Sequence, residues 1–423
     1  MSTIAAGTTL TTALVETGDT TGNLVIQTNG TTTAATFDTS QNLAVVGAVK
    51  SNTYQDASGG NTATINSMTP TADSLQGFRN RIINGDMRID QRNAGASVTI
   101  TNTADVTYTL DRWFGYGTVA SKFSIEQTIS GVSAPTGFTD YFGVTSLSAY
   151  SVLTGDSFSV GQAIEGLNVA DLGWGTASAK SITISFWVRS SLTGTFGGAL
   201  RNSAVTRSYP FTYSISSANT WEQKSITIAG DTSGTWLTTN GVGIRFGFGL
   251  GQGSTFNGTA GAWAGANYNN ATGATSVVGT NGATWYVTGV QLEVGSVATP
   301  FERRDYGREL IMCQRYYYKV SGDTKWFGIG YVIDSTRAQG ITSFPVTMRT
   351  APSAVEQTGT AANYGVLTGT TSTTCSSVPT FNAGTSEFSA VTLFTVSSGL
   401  TASQSIALRS LAASVYLAWS AEL

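Results

Sequence analysis

The chain contains no histidine, and this absence removes several kinds of chemistry at once. Without imidazole there is no Ser-His-Asp or Cys-His catalytic arrangement, no histidine acid or base, and no imidazole metal site. Cysteine is scarce as well, because Cys313 and Cys375 are the only two. Two distant cysteines make neither a four-ligand zinc site nor a disulfide framework. One bridge between them stays open as an alternative, but we expect two buried free thiols.

Charge is also low. Charged residues make up 11% of the 423 residues, against roughly 25% in an average globular protein, and the formal net charge is −3. No Lys/Arg cluster offsets this balance, so we expect no nucleic-acid binding. No run approaches the roughly 20 apolar residues that cross a bilayer, and the N-terminus lacks the features of a secretion signal. We therefore expect a chain that is made in a cytoplasm and does not insert into a membrane.

Glycine, threonine and serine are abundant, and 10% of the residues are aromatic. This mixture is typical of β-structure with many turns. Within residues 77–300 the alternation is strong: SITISFWV sets Ile182, Ile184, Phe186 and Val188 on one face, and GIRFGFGLG repeats the pattern. Several such runs, separated by Gly/Ser/Asn/Thr loops without helical periodicity, predict a mainly β chain with an antiparallel sandwich of jelly-roll type.

Residues 1–76 form a leader that is poor in large side chains. Its only aromatic residues are Phe37 and Tyr54, too few to bury the surface that a lone domain needs. Two short β-like runs, LVIQ at 24–27 and NLAVVGAV at 42–49, are nevertheless present. We expect an intertwined oligomer in this segment, with disorder as the alternative.

The segment 301–319 contains the one convincing helical pattern. In ERRDYGRELIMCQRYYYK, at 302–319, an apolar stripe follows the i, i+4, i+7 spacing. Its members are Tyr306, Leu310, Cys313 and Tyr317. We expect this linking helix to pack on a neighbouring sandwich or on its symmetry mates. Residues 320–423 return to strand patterns and predict a smaller C-terminal β domain.

Five segments in a fixed order resemble bacteriophage fibre proteins. They are NRIINGDMRIDQRN at 80–93, YTLDRWFG at 108–115, SFWVRSS at 185–191, NTWEQKSITIAGD at 219–231 and GVQLEVGSVATPFERR at 289–304. The region they span, about 80–318, resembles the jelly-roll carbohydrate-binding modules that such fibres carry. The leader is similar to trimeric fibre shafts and virion-attachment segments, and the C-terminal domain resembles fibre tips. The resemblance implies an elongated homotrimeric tail fibre that is assembled in the host cytoplasm and attached to tail or baseplate proteins through its N-terminus.

The same resemblance bears on a metal. Related sugar-binding modules open on an NGDFE-like stretch that helps to bind a structural calcium, and Asn84, Gly85 and Asp86 match it, whereas Arg88 takes the acidic position. The remaining candidate oxygens come from Asp86, Asp90 and Glu293. The alternative is a turn in which Asn84 and Asp86 bond backbone groups.

A glycan binder needs flat aromatic faces and amide, carboxylate or guanidinium groups for the hydroxyls. The long loop at 251–285 offers Trp263 and Tyr268 beside Asn269 and Asn270. In the alternative interpretation Trp263 packs back onto the sandwich. No spacing singles out a pair of carboxylates, so we expect no enzyme. The predicted function is adsorption of a phage to host surface polysaccharide. A head, collar or tail decoration without receptor binding, or a polysaccharide depolymerase, remain the alternatives.

Overall fold

The computed structural model describes residues 24–28, 32–37, 39–40, 43–45, 78–322 and 325–423. The chain divides into two compact units, Met1–Thr71 and Ala72–Leu423. In the first unit an antiparallel sheet has the order β1-β2-β3. Its strands are β1 (Leu24–Thr28), β2 (Thr32–Phe37) and β3 (Leu43–Val45). The predicted strand at 24–27 is confirmed, and the predicted run at 42–49 is described as a strand only at its start.

The second unit begins with a sandwich built from the alternating runs. Its strands are β4 (Val98–Thr99), β5 (Thr107–Leu110), β6 (Trp113–Gly117), β7 (Phe123–Gln127), β8 (Phe142–Ser146), β9 (Ser157–Glu165), β10 (Ile182–Ser190), β11 (Gly194–Arg201), β12 (Ser208–Ile215), β13 (Glu222–Ile228), β14 (Val242–Gln252), β15 (Asn257–Gly258), β16 (Asn270–Ala271) and β17 (Thr284–Val294). Short 3-10 turns lie at Gly166–Asn168, Ala170–Leu172 and Ser254–Phe256.

Two antiparallel six-stranded sheets face each other in this sandwich. One has the order β13-β10-β17-β8-β7-β4, and the other has the order β12-β11-β14-β9-β6-β5. From β8 to β11 each successive strand changes sheet, which is the jelly-roll connectivity expected from the sequence. The predicted inward residues Ile182, Ile184, Phe186 and Val188 are all buried in the core between the sheets. The fold-class prediction of an antiparallel sandwich is confirmed.

The C-terminal part follows a single α-helix, α1 (Tyr306–Gln314). Its strands are β18 (Tyr317–Ser321), β19 (Trp326–Val332), β20 (Arg337–Ser343), β21 (Glu356–Gln357), β22 (Tyr364–Thr368), β23 (Thr371–Thr374), β24 (Thr380–Phe381), β25 (Ser389–Thr395), β26 (Ser405–Ser410) and β27 (Tyr416–Ser420), with a 3-10 turn at Ala361–Asn363. They form a three-stranded sheet, β18-β27-β21, and a seven-stranded sheet, β23-β22-β26-β19-β20-β25-β24. A second hydrophobic core lies beneath them, around Phe327, Phe394 and Trp419.

The helix is shorter than the sequence pattern predicts, and this part of the prediction is wrong. It begins after Asp305, whose side chain accepts a hydrogen bond from the backbone of Arg308 at 2.9 Å and so caps the first turn. It ends at Gln314 because the following residues leave to pair β18 with β27. Tyr317 therefore belongs to a strand.

The four residues of the predicted apolar stripe, which we expected to pack on a sandwich or on symmetry mates, have different environments. Tyr306 is 54% exposed and Leu310 is half-buried, whereas Cys313 and Tyr317 are fully or almost fully buried. Cys313 and Tyr317 are thus covered by residues of their own chain. Of the four, Tyr306 alone is exposed.

Buried ion pairs join the sandwich to the segments that follow it. Glu165 at the end of β9 accepts hydrogen bonds from the Arg315 guanidinium at 2.6 and 3.0 Å and from the Tyr316 hydroxyl at 2.5 Å. Arg112 pairs with Glu422 in the same way. Removing one partner from such a pair leaves a buried, uncompensated charge, which is strongly destabilising. These contacts hold the C-terminal part against the sandwich.

Both cysteines are free and buried, as expected, and no helix in the part of the chain that the structure describes is long and apolar enough to cross a bilayer.

Candidate glycan-binding groove

A groove of about 210 Å³ opens on the outer face of the sheet β12-β11-β14-β9-β6-β5. We call it the groove, and its lining residues are Val106, Phe114, Tyr116, Ser157, Ser159, Arg201, Arg245, Phe256, Asn267 and Asn269. It combines aromatic rings, hydroxyls, amides and two guanidinium groups in one open site.

The base of the groove is wide because its strands carry small side chains outwards. Along β9 the large residues Phe158 and Val160 point into the core, and the intervening Ser157, Ser159 and Gly161 face outwards. Ser159 pairs with Tyr116 of β6 on one side and with a glycine of β14 on the other. The sequence thereby leaves room above the sheet for a ligand.

Two arginines lie side by side in the groove. Arg201 of β11 and Arg245 of β14 are direct partners in the antiparallel register. Arg201 donates to the Asn267 side-chain oxygen at 2.8 Å, whereas the Nε of Arg245 is buried without a hydrogen-bond partner. Burial, together with the smaller effect of the neighbouring positive charge of Arg245, lowers the pKa of Arg201 to about 10. The Arg201 guanidinium is therefore still charged at neutral pH.

Asn269 supplies the opposite kind of group. The residue is 8% exposed, and its side chain donates to the Ser157 hydroxyl at 2.9 Å. Its side-chain oxygen is buried without a hydrogen-bond partner. A buried acceptor without a partner is costly. The groove therefore offers one acceptor that a ligand hydroxyl can satisfy.

The structure brings only one of the four predicted glycan-binding residues into the groove. Asn269 lines it, whereas Asn270 lies beneath the sheet surface, where its amide donates to Gln252 at 2.9 Å. Tyr268 is half-buried and covers Gly258. The four residues do not form one site.

Trp263 lies in a different place, in a cluster of aromatic residues. Its ring centroid is 5.3 Å from that of Trp174, 5.4 Å from that of Trp236 and 5.1 Å from that of Tyr209. Its indole N–H donates to the Ala229 carbonyl at 2.8 Å. This is the packing described by the alternative interpretation. An apolar crevice of about 220 Å³ adjoins the cluster and is lined by Trp174 and Trp236.

The sequence pointed less clearly to the remaining groove residues. In GIRFGFGLG the buried residues Ile244 and Phe246 leave Arg245 on the opposite face, and the next two outward positions are glycines. A charged residue followed by small residues on one face of a strand is the signal that was available. The pairing of Arg245 with Arg201 depends on sheet register and is not visible in the sequence.

Most of the candidate metal-ligand oxygens near the start of the sandwich already bond protein groups. The Asn84 amide donates to the Ile89 and Asp111 carbonyls at 2.8 and 3.1 Å and accepts from the Ile89 N–H at 3.0 Å. Asp86 pairs with Arg88 at 2.5 Å. The arginine that replaces an acidic residue here thus supplies a positive charge to Asp86, which is the role that a calcium ion would have.

The other two candidate ligands also serve local structure. The two oxygens of Asp90 accept from the backbone N–H groups of Asn93 and Gly95 at 2.8 and 2.7 Å. Glu293 accepts from the backbone and hydroxyl of Thr299 at 2.8 and 2.6 Å. Among the described residues no three His, Cys, Asp or Glu side chains come together as a metal site. Asn84 bonds backbone groups as the turn interpretation describes, whereas Asp86 pairs with Arg88 and its Oδ1 is buried without a hydrogen-bond partner.

Comparisons with known proteins show no family. No protein-family model matches the chain, and no curated protein matches it. Among solved structures it is similar to the enzymatically active domain of tailspike protein 4 of bacteriophage CBA120, at 11% identity and a TM-score of 0.27, over 52% of this chain and 22% of that one. The chain thus spans about a fifth of the tailspike that it matches.

Two further similarities cover more of the compared proteins. One is with the family 11 carbohydrate-binding module of a cellulosomal cellulase of Clostridium thermocellum, at 14% identity and a TM-score of 0.22, over 49% of this chain and 99% of that one. The other is with a triple-jelly-roll turret protein of an archaeal virus, at 13% identity and a TM-score of 0.18, over 78% and 77%. At these TM-scores the overlap is partial and assigns no ligand.

Proposed function

We propose that this chain is a virion fibre subunit that binds host surface glycan without cleaving it and so mediates adsorption of a bacteriophage. The groove is the observation that supports the proposal most directly. It has the aromatic rim, the hydroxyls and the unpaired donor and acceptor that recognition of a sugar requires.

The composition of the groove favours binding over hydrolysis. Glycoside hydrolysis uses a pair of carboxylates roughly 5 to 10 Å apart. Among the described residues that line the groove, none is Asp or Glu. The interior carboxylates Glu165 and Asp231 are held by arginines instead. The same groove therefore supports a non-catalytic function.

Assembly as a homotrimer is part of the proposal. In the leader, Phe37, Leu43 and Val45 are exposed, and their exposure supports a second chain as their cover. The seven-stranded sheet adds a larger surface. We call it the C-terminal apolar face, and its exposed residues are Trp326, Ile329, Tyr331, Ile341 and Phe388.

The occupant that we assign to the C-terminal apolar face is another copy of this chain. Ile329 pairs with Ile341 on β20 and with Ala407 on β26, and Ile341 pairs with Val391 on β25. These side chains form an apolar row across four strands. The exposed side chains amount to on the order of 500 Å². A standard interface needs about 800 Å² per partner, so this face accounts for more than half of one partner's share.

The proposed function is tested by glycan binding of the full chain. Wild-type protein, Asn269→Ala and the matched surface control Asn281→Ala are applied to an array of bacterial capsular polysaccharides and O-antigens. We expect wild type and Asn281→Ala to bind alike, and Asn269→Ala to bind about tenfold more weakly because it lacks the acceptor.

Each other outcome identifies an alternative. A wild-type protein that binds neither the array nor host cells contradicts the proposal and favours a decoration without receptor binding. Release of reducing ends from a bound polysaccharide identifies a depolymerase instead.

A further inference from the structure

The two groove arginines lie opposite each other without a carboxylate partner in the described part of the chain. Five arginines elsewhere in the second unit show the contrast, because each of them is given a carboxylate. The pairs are Arg81 with Asp171, Arg112 with Glu422, Arg207 with Asp231, Arg304 with Glu309 and Arg315 with Glu165. Arg201 and Arg245 have no such partner among the described residues, although both are half-buried. The groove thus carries two positive charges that the protein itself does not neutralise.

The register makes this arrangement unfavourable for the protein alone. Arg201 and Arg245 are directly opposite each other on neighbouring antiparallel strands. Like charges at such a position destabilise the sheet. An anion placed between the two guanidinium groups removes the repulsion and receives charge-assisted hydrogen bonds from both.

The unpaired groups around the arginines define what else the ligand carries. The Arg245 Nε has no partner, and the Arg201 guanidinium is oriented by Asn267 at 2.8 Å. The unpartnered oxygen of Asn269 requires a hydroxyl or amide donor. Tyr116 adds an aromatic ring at the same groove. A sugar that bears both an anionic group and free hydroxyls satisfies all of these groups at once.

We propose that the groove selects an anionic glycan, with the acidic group of one sugar between Arg201 and Arg245 and a neighbouring hydroxyl donating to Asn269. This inference rests on the proposed function and adds the chemical class of the ligand. The acidic group is a carboxylate, as in a uronic acid, or a sulfate, and guanidinium groups bind both.

The test compares matched polymers on the full chain. Binding is measured to polygalacturonate, to the same polymer after reduction of its carboxyl groups to alcohols, and to sulfated dextran beside dextran. The variants are Arg201→Gln and Arg245→Gln. Arg337→Gln is the control, because it removes the same charge at an exposed site that pairs with Asp334 on the C-terminal part.

We expect wild type and Arg337→Gln to bind at least one anionic polymer at least about tenfold more tightly than its neutral counterpart. Either groove variant removes that difference. The polymer that is preferred decides between carboxylate and sulfate. Binding to the anionic polymer also weakens steeply as salt rises.

Failure of this inference is distinguishable from failure of the proposed function. If wild type binds a neutral glycan as tightly as the anionic ones, the groove is a glycan site and the inference is wrong. If it binds no glycan on the array, the proposed function itself fails. Thermal unfolding keeps the test sound: removing one of two opposed charges is expected to leave the melting temperature unchanged or higher. If a variant unfolds, the inference is decided by wild type alone, from its binding to polygalacturonate compared with its binding to the carboxyl-reduced polymer.

Discussion

The groove and the C-terminal apolar face are both outer surfaces of antiparallel sheets, but they carry opposite chemistry. At the groove, the outward positions of β9 and β14 hold Ser159, Gly161 and Arg245, and the large side chains point inwards. On the C-terminal apolar face, the outward positions hold Ile329 and Ile341, which are 76% and 52% exposed. The same alternation thus builds a polar recess in one sheet and an apolar surface in the other. The first suits a hydrated sugar, and the second suits another protein surface.

The largest expected effect is on assembly. Replacing both Ile329 and Ile341 by Asp places two charges in the middle of the C-terminal apolar face, and burying them in an interface is unfavourable. We expect the dissociation constant of the oligomer to rise by at least about 100-fold, measured by light scattering across a dilution series. Asn281→Asp adds charge at an exposed loop and serves as the control. An unchanged mass at every concentration would show that this face is not the interface.

The next effect separates the groove from the tryptophan cluster. We expect Trp263→Ala to lower the free energy of unfolding by about 2 kcal/mol, because the ring packs on Trp174 and Trp236, and to leave glycan affinity within about twofold.

Tyr116→Ala is the reciprocal change. It is expected to weaken glycan binding by about tenfold through loss of an aromatic contact, with a smaller change in stability than Trp263→Ala produces. Chemical denaturation and binding titrations of the same two variants check both statements. A large loss of affinity in Trp263→Ala alone would move the binding site to the cluster.

A smaller effect concerns pH and the buried carboxyl group in the turn between β5 and β6. Burial raises the pKa of Asp111 to about 6, although Gln91 donates two hydrogen bonds to the carboxylate. The folded state therefore holds a proton that the unfolded state loses near pH 4. The stability that this group contributes is present below about pH 4 and is lost as pH rises through about 6. Asp111→Asn should flatten the fall of the melting temperature between about pH 4 and pH 7. If the melting temperatures of wild type and variant change in parallel with pH, Asp111 is not the group responsible.

The smallest effect is on thiol reactivity. Burial raises the pKa of Cys375 to about 12 and raises that of Cys313 well above its usual value. Because the thiolate is the reactive form, neither side chain should be alkylated in the native protein. Mass spectrometry after brief treatment with iodoacetamide, with and without denaturant, tests this. Rapid labelling of Cys313 in native protein would mean that the helix separates from Ile83 and Ile89, against which Cys313 packs.

Much of the fold was predictable because it follows from local alternation. The inward residues of β10 and the position of β1 needed only the spacing of apolar side chains. The helix was overpredicted because its pattern continues past the point where tertiary contacts intervene. Tyr317 fits the helical stripe, yet pairing with β27 draws it into a strand. Local propensity cannot register that competition.

The candidate site was predictable only in part. Asn269 was found because a long polar loop that carries asparagines indicates binding. Trp263 was selected for the same reason, but three aromatic neighbours from distant segments surround it. The opposition of Arg201 and Arg245 depends on the register of two strands that are far apart in the sequence. Such a pair becomes visible only when the sheet is assembled.

That opposition also bears on how host range can change. Both arginines point away from the core, so exchanging either one alters the charge of the recess without disturbing the packing below it. Under the proposed function, a single codon change therefore shifts the preference of the groove between acidic and neutral host glycans, and the jelly roll itself stays as it is.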